Sequence, residues 1–258
     1  MPYTLITGAS MGIGETFALE FARRGHNLVL VARSEEKMQL LASELRAKHG
    51  TDVRVFRADL NDADAPSRIF IYCRDQRLDI DLLVNCAGLS RAGEFRQLPP
   101  DKLDEIMTVN MMAAARLCRL FLPAMILARS GGIINVASLG GLQGVPGLAL
   151  YSATKSFLIT LSEALHIEAG KSRVKVLAVC PGFIDTGFLD RTGHDASGIR
   201  LPIYGADKVV QAAIRGFENK RIRVFPTLLD AVLSFSQRFA SRKFAVRLSG
   251  YFAGIIRV

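Results

Sequence analysis

Short apolar runs alternate along this chain with longer stretches of helical spacing. Tyr3–Thr7 reads as a first strand, and Gly14–Arg24 follows as a helix stopped by Gly25. Asn27–Ala32 (NLVLVA) is apolar almost throughout, which suits a parallel strand buried on both faces better than a half-exposed one. Glu35–Lys48 is helical and closes at Gly50, and Val53–Phe56 is a third strand. Leu82–Val84, Gly132–Val136 and Val174–Val179 add three more, with helices at about Asp101–Leu127 and Ser152–Ala169 between them. Arg221–Phe225 makes a seventh. The alternation predicts an α/β fold: one doubly wound parallel sheet of about seven strands, with helices on both faces.

Two stretches break the rhythm. Residues 187–206 hold Gly, Asp, His and Pro with little periodicity and are expected to form a mobile lid. Residues 227–258 form a basic, Phe-containing tail with helical spacing at Leu228, Val232, Phe235 and Phe239. No linker or low-complexity stretch separates it from the rest. The expectation is one domain over 1–226, with 227–258 as its helical extension.

Half of the 258 residues are hydrophobic and 22% are charged, which excludes wholesale disorder. No uncharged apolar run reaches the ~20 residues of a bilayer-spanning helix. The first residues lead straight into a strand, without the basic segment and cleavage site of a signal peptide. Cys73, Cys86, Cys118 and Cys180 lie far apart, as expected of buried thiols in a reducing compartment. The expected location is therefore cytoplasmic. His26, His49, His166 and His194 are scattered, so no metal site is indicated.

The net charge of +9 is uneven. Residues 219–258 carry Lys220, Arg221, Arg223, Arg238, Arg242, Lys243, Arg247 and Arg257 against one acid, Asp230. Three readings of the tail follow: a helix pair over the cleft or a dimer partner, a peripheral anchor on the inner face of a membrane, or a nucleic-acid contact. No helix-turn-helix, zinc-finger or RNP-type pattern accompanies the charge, so no nucleic acid is expected.

The first strand runs into TGASMGIG, with Gly8, Gly12 and Gly14 spaced GxxxGxG. Glycines there let the backbone turn tightly and approach a pyrophosphate, which the free N–H groups of the following helix would hold. The second strand ends at Ala32, followed by Arg33 and Ser34 where an NAD site would place a carboxylate. A guanidinium pairs with a 2′-phosphate that a carboxylate would repel, so NADP(H) is favoured. YSATK sets Tyr151 and Lys155 one helical turn apart on one face. Ser138 ends the fifth strand thirteen residues earlier. A phenol beside an ammonium, with a hydroxyl to hold the same oxygen, is an acid/base set for carbonyl chemistry; the ammonium is expected to favour the phenolate.

Over about residues 3–226 these features resemble the short-chain dehydrogenase/reductase family. The motifs that carry the resemblance are TGASMGIG, Asp59 after the third strand, NCAG at 85–88, Asn110, Ser138, YSATK and PGFIDT at 181–186. The resemblance implies a Rossmann-type domain with roles at each position. Gly8, Gly12, Ile13 and Gly14 would line the pyrophosphate turn, with Ser10 near the phosphates. Arg33 and Ser34 would meet the 2′-phosphate, Asp59 and Leu60 the adenine. Asn85, Ala87 and Gly88 would shape the adenosine side. Tyr151 would be the acid/base, Ser138 the carbonyl holder and Lys155 the ribose ligand that lowers the phenol's pKa. Asn110 would hold a water linking Lys155 to solvent. Pro181, Gly182, Ile184 and Thr186 would fix the carboxamide. Met11 stands where many NADP-using members carry a basic residue, so NAD(H) is admitted as a second cofactor. The resemblance also implies a homodimer or homotetramer built on the helices at about 101–127 and 152–169.

The C-terminal part resembles bacterial 3-oxoacyl and ketoacyl reductases. Substrate contacts are expected in 89–98, 139–150 and 187–206, with Leu139, Leu142, Val145 and Leu148 walling a pocket for a hydrophobic carbonyl compound. The two arginines of 89–98 are read either as solvated or as contacts for an anionic acyl carrier. The expected activity is NADP(H)-dependent hydride transfer between nicotinamide and a carbonyl or alcohol carbon. The alternative is a non-catalytic NADP-binding sensor or scaffold, against which the intact set Asn110, Ser138, Tyr151 and Lys155 argues.

Overall fold

A computed structural model describes residues 2–188, 192–193 and 196–254. In chain order the strands are β1 (Tyr3–Thr7), β2 (Asn27–Ala32), β3 (Val53–Arg57), β4 (Ile80–Asn85), β5 (Gly132–Val136), β6 (Lys175–Val179), β7 (Phe183–Asp185), β8 (Ile203–Gly205) and β9 (Arg223–Val224). The helices are α1 (Gly12–Arg23), α2 (Glu35–His49), α3 (Ala65–Asp75), α4 (Pro100–Ala128), α5 (Ala149–Gly170), α6 (Ala206–Glu218), α7 (Leu228–Ser236) and α8 (Arg242–Phe252). Seven strands pair in parallel in the order β3-β2-β1-β4-β5-β6-β9. This is the expected doubly wound sheet. Chain order reverses between β1 and β4, the crevice where such sheets bind ligands.

Alternation within the strands sorts the core into two layers. Ile6, Leu28, Leu30, Val84, Ile134 and Val179 meet Phe17 and Phe21 of α1, Met38 and Leu45 of α2, and Val210 and Ile214 of α6. On the other face Leu5, Val29, Leu83, Ile133 and Val176 meet Ile69 of α3 and Leu117, Phe121 and Met125 of α4. Burial on both faces explains why the strands read as continuous apolar runs. Helix α4 is long and apolar enough to cross a membrane by length and composition alone. It carries Arg116 and Arg119, and its apolar stripe lies on the sheet.

Four features went unassigned in the periodicity. Helices α3 and α6 are real elements, and a small parallel pair, β7 with β8, sits beside the main sheet. Helix α4 contains a π-helical turn at Thr108–Ala113. The segment expected as a lid holds β8 and a short 3-10 turn, Ala196–Gly198; residues 189–191 and 194–195, among them His194, lie outside the described residues. The tail contributes α7 and α8. Arg242 Nη1 donates to the Leu142 carbonyl (3.4 Å) and Ser249 Oγ to the Gly144 carbonyl (3.0 Å), which lays α8 on the loop after β5. Arg257 lies outside the described residues.

Candidate active site

A cleft of about 590 Å³ opens at the C-terminal ends of β1, β4, β5 and β6. The glycine turn forms its floor. Gly8 (φ +69°) and Gly12 (φ +60°) adopt the left-handed conformation that glycine tolerates best. A Cβ on Gly8 would fall 2.9 Å from the Ala87 Cα, and one on Gly14 would collide with the Gly8 carbonyl oxygen. Only a bare backbone makes this cradle. Ser10, Met11 and Ile13 line it with the glycines. Arg33 and Ser34 after β2, and Asp59 and Leu60 after β3, line the adjoining end. The Arg33 guanidinium is largely exposed, with Nη1 3.9 Å from Glu105 Oε1 of α4.

On the opposite wall Ser138, Tyr151 and Lys155 converge. Ser138 follows β5 and caps the next turn, its Oγ accepting from Gly140 N (3.1 Å). Tyr151 and Lys155 rise from the first turns of α5. Lys155 Nζ lies 5.7 Å from the Tyr151 ring centroid and donates to the Val136 carbonyl (2.8 Å). Burial pushes the Tyr151 phenol up to about 12, with the Ser138 hydroxyl pulling the other way. Burial pulls the Lys155 ammonium down to about 8. The expected lowering of the phenol by the ammonium is not what this geometry produces. Both groups leave water without a full counter-charge, and desolvation disfavours each charged form.

Asn110 and Asn85 do not line the cleft. Asn110 is fully buried in the π turn of α4. Its Oδ1 accepts from Leu89 N (2.7 Å), and its Nδ2 donates to the Leu89 carbonyl (2.8 Å) and to Thr154 Oγ1 (3.0 Å). It still reaches the site from behind. A Cβ on Gly88 would sit 3.3 Å from Lys155 Nζ and 3.5 Å from Asn110 Oδ1, so the bare glycine leaves the space next to both groups open. Asn85 ends β4, and its amide donates to Asn135 Oδ1 (2.9 Å) inside the core. The cleft is lined instead by Cys86, Ala87 and Gly88, where the chain leaves the strand.

Pro181, Gly182, Ile184 and Thr186 line the floor beyond β6. Gly182 N donates to Tyr204 Oη (2.9 Å), and Tyr204 in turn donates to the buried carboxylate of Asp230 on α7. Motif reading missed this relay. The one signal for it was Asp230 itself, a lone acid in a basic tail. Leu139, Val145 and Leu148 wall the cleft as expected, but Leu142 packs instead near Ala137 and Ile159. Neither arginine of 89–98 lines it; Arg96 pairs with Glu94 (2.6 Å) at the surface. Gln143 does line it, with a buried Oε1 that has no hydrogen-bond partner among the described residues. Phe188 packs against the Tyr151 ring (6.1 Å), and Leu233, Phe244 and Leu248 of the tail close the mouth.

The model of the short chain dehydrogenase family matches residues 2–197. The chain belongs to that family. It is thus similar to oxidoreductases that act on CH–OH and C=O groups with nicotinamide cofactors. A very-long-chain 3-oxoacyl-CoA reductase of Anas platyrhynchos is 34% identical over 192 residues, 71% of this chain and 60% of that protein. The chain therefore spans less than two thirds of that relative. The 3-oxoacyl-[acyl-carrier-protein] reductase FabG of Staphylococcus aureus is 35% identical over 187 residues, 72% of this chain and 76% of that one. Among solved structures, a short-chain dehydrogenase from Sphingobium yanoikuyae in complex with NADPH superimposes with a TM-score of 0.84. It is 34% identical, covering 93% of this short-chain dehydrogenase and 94% of that chain.

Proposed function

We propose that the protein is an NADP(H)-dependent reductase of apolar ketones or 3-oxoacyl compounds, with Tyr151 as the proton donor. The observation that carries this reading is the convergence of Tyr151, Ser138 and Lys155 across the cleft from the glycine cradle. The residues fit a dinucleotide: the cradle has no room for side chains, and Lys155 retains donors beyond the one taken by Val136. Gly8, Ser10, Gly12, Ile13 and Gly14 would hold the pyrophosphate; Arg33 and Ser34 the 2′-phosphate; Asp59, Leu60, Ala87 and Gly88 the adenosine; Lys155, Pro181, Gly182, Ile184 and Thr186 the nicotinamide half. When bound, the nicotinamide supplies the hydride for the carbonyl carbon.

The remaining tasks fall to side chains of this protein. Ser138 donates to the substrate oxygen and fixes it beside the phenol. Tyr151 transfers its proton to that oxygen, so a C=O bond becomes C–O–H. A phenol held near 12 is protonated at neutral pH, the form a proton donor needs. Lys155 and Asn110, both close to the open space beside Gly88, support a path that returns a proton to Tyr151. Leu139, Val145 and Leu148 favour an apolar substrate.

Residues 227–258 belong on this reading to the same domain as 1–226. Exposed Met112 and Leu127 on α4 and Ile167 on α5 support a homo-oligomer. Four free cysteines support a cytoplasmic setting. The test is Tyr151→Phe. Turnover of ketones and 3-oxoacyl thioesters falls by about 10²–10⁴-fold while NADPH still binds. Normal turnover in that variant would overturn the mechanism.

A further inference from the structure

Helices α7 and α8 present two different faces. Their inner face, with Leu233 and Leu248, lines the mouth of the cleft. Their outer face is apolar and, among the described residues, uncovered. Leu228, Val232 and Phe235 are exposed on α7, and Phe239 is 79% exposed just after it. Phe235 and Phe239 pack edge to face at 5.3 Å and so form one patch. Arg238 lies over the Phe235 ring at 5.7 Å, and Arg242, Lys243 and Arg247 are exposed on α8. The one acid between 227 and 254, Asp230, is buried against Tyr204 and offers nothing outward.

That charge pattern selects the occupant. A second copy docked face to face would crowd two sets of cations around one apolar contact, with no acid of this segment to meet them. An anionic bilayer surface supplies both complements at once: acyl chains for the phenylalanines and headgroups for the cations. We propose that this face docks on the surface of a bilayer that carries anionic lipids. The cleft mouth then lies at the lipid surface. Resting on the reductase reading above, the inference extends to substrate: an apolar carbonyl compound dissolved in the membrane enters between α7 and α8 toward Tyr151 without crossing bulk water.

The test is co-sedimentation of the full chain with phosphatidylcholine vesicles, with and without phosphatidylglycerol. Binding is expected only with phosphatidylglycerol, and salt weakens it. Arg238→Gln/Lys243→Gln lowers partitioning about 25-fold, roughly fivefold per cation removed. Phe235→Ser/Phe239→Ser abolishes binding with the fold intact, because both rings are exposed. Equal binding to both vesicles, or none to either, overturns the proposal. So does a dimer in light scattering that the same two serines turn into a monomer, since a second copy would then cover the patch. Turnover of a water-soluble ketone without vesicles separates the two readings. Turnover without lipid binding removes the membrane inference alone; lipid binding without turnover removes the reductase reading and the substrate route that rests on it, and leaves the docking face.

Discussion

Tyr151 and Lys155 are moved in opposite directions by one cause. The site withdraws both from water, so the phenol holds its proton more tightly and the ammonium less. For Lys155 the consequence for stability has a definite sign. Its folded value is about 8 and its ordinary value is 10.5. Between those limits the unfolded chain binds the extra proton, so this residue's contribution to stability rises with pH. Lys155→Met removes that rise. In thermal melts the wild type should therefore gain on Lys155→Met from about pH 8 to 10.5; a constant difference would mean that burial does not perturb this amine. Arg33 sets a second expectation. Arg33→Ala should weaken NADPH about tenfold to a hundredfold, the worth of charge-assisted hydrogen bonds, and barely touch NADH. Equal losses in titrations of both cofactors would place 2′-phosphate recognition elsewhere.

At the scale of elements, the strands present backbone and the helices bring side chains to it. The π turn of α4 carries Asn110 inward beside Gly88. The relay from Gly182 through Tyr204 to Asp230 ties the loop after β6 to β8 and α7. Tyr204→Phe removes the shared hydroxyl and leaves a backbone N–H and a buried carboxylate short of a partner. The expected cost is about 1–3 kcal/mol of stability, with faster hydrogen exchange at the Gly182 amide. Unchanged exchange would show that the amide is protected by something other than Tyr204.

Across the whole molecule, the buried thiols govern the alkaline limit. Burial pushes Cys73, Cys118 and Cys180 from 9.0 up to about 12. Above pH 9 the unfolded chain releases these protons while the folded chain keeps them. The folded state then binds more protons, and stability falls as pH rises. Three thiols and Tyr151 outweigh the opposite contribution of Lys155. The melting temperature should drop between pH 9 and 11, and Cys73→Ala should flatten the slope while lowering stability at neutral pH by cavity formation. A melting temperature that held level over that range would contradict the burial of these groups.

Local order was legible in the residues because local order is what periodicity encodes. Continuous apolar runs such as NLVLVA report burial on both faces, and hence a parallel sheet with helical layers on either side. TGASMGIG names its own tight turn, and a four-residue spacing puts Tyr151 and Lys155 on one face wherever the helix lies. Contacts between distant segments leave no such trace. The inward turn of Asn85, the bond from Tyr204 to Asp230 and the seating of α7 and α8 over the cleft join residues far apart in the chain. Each depends on how whole elements pack. The same packing decided that burial, which moves the phenol up and the amine down, is the largest influence on each.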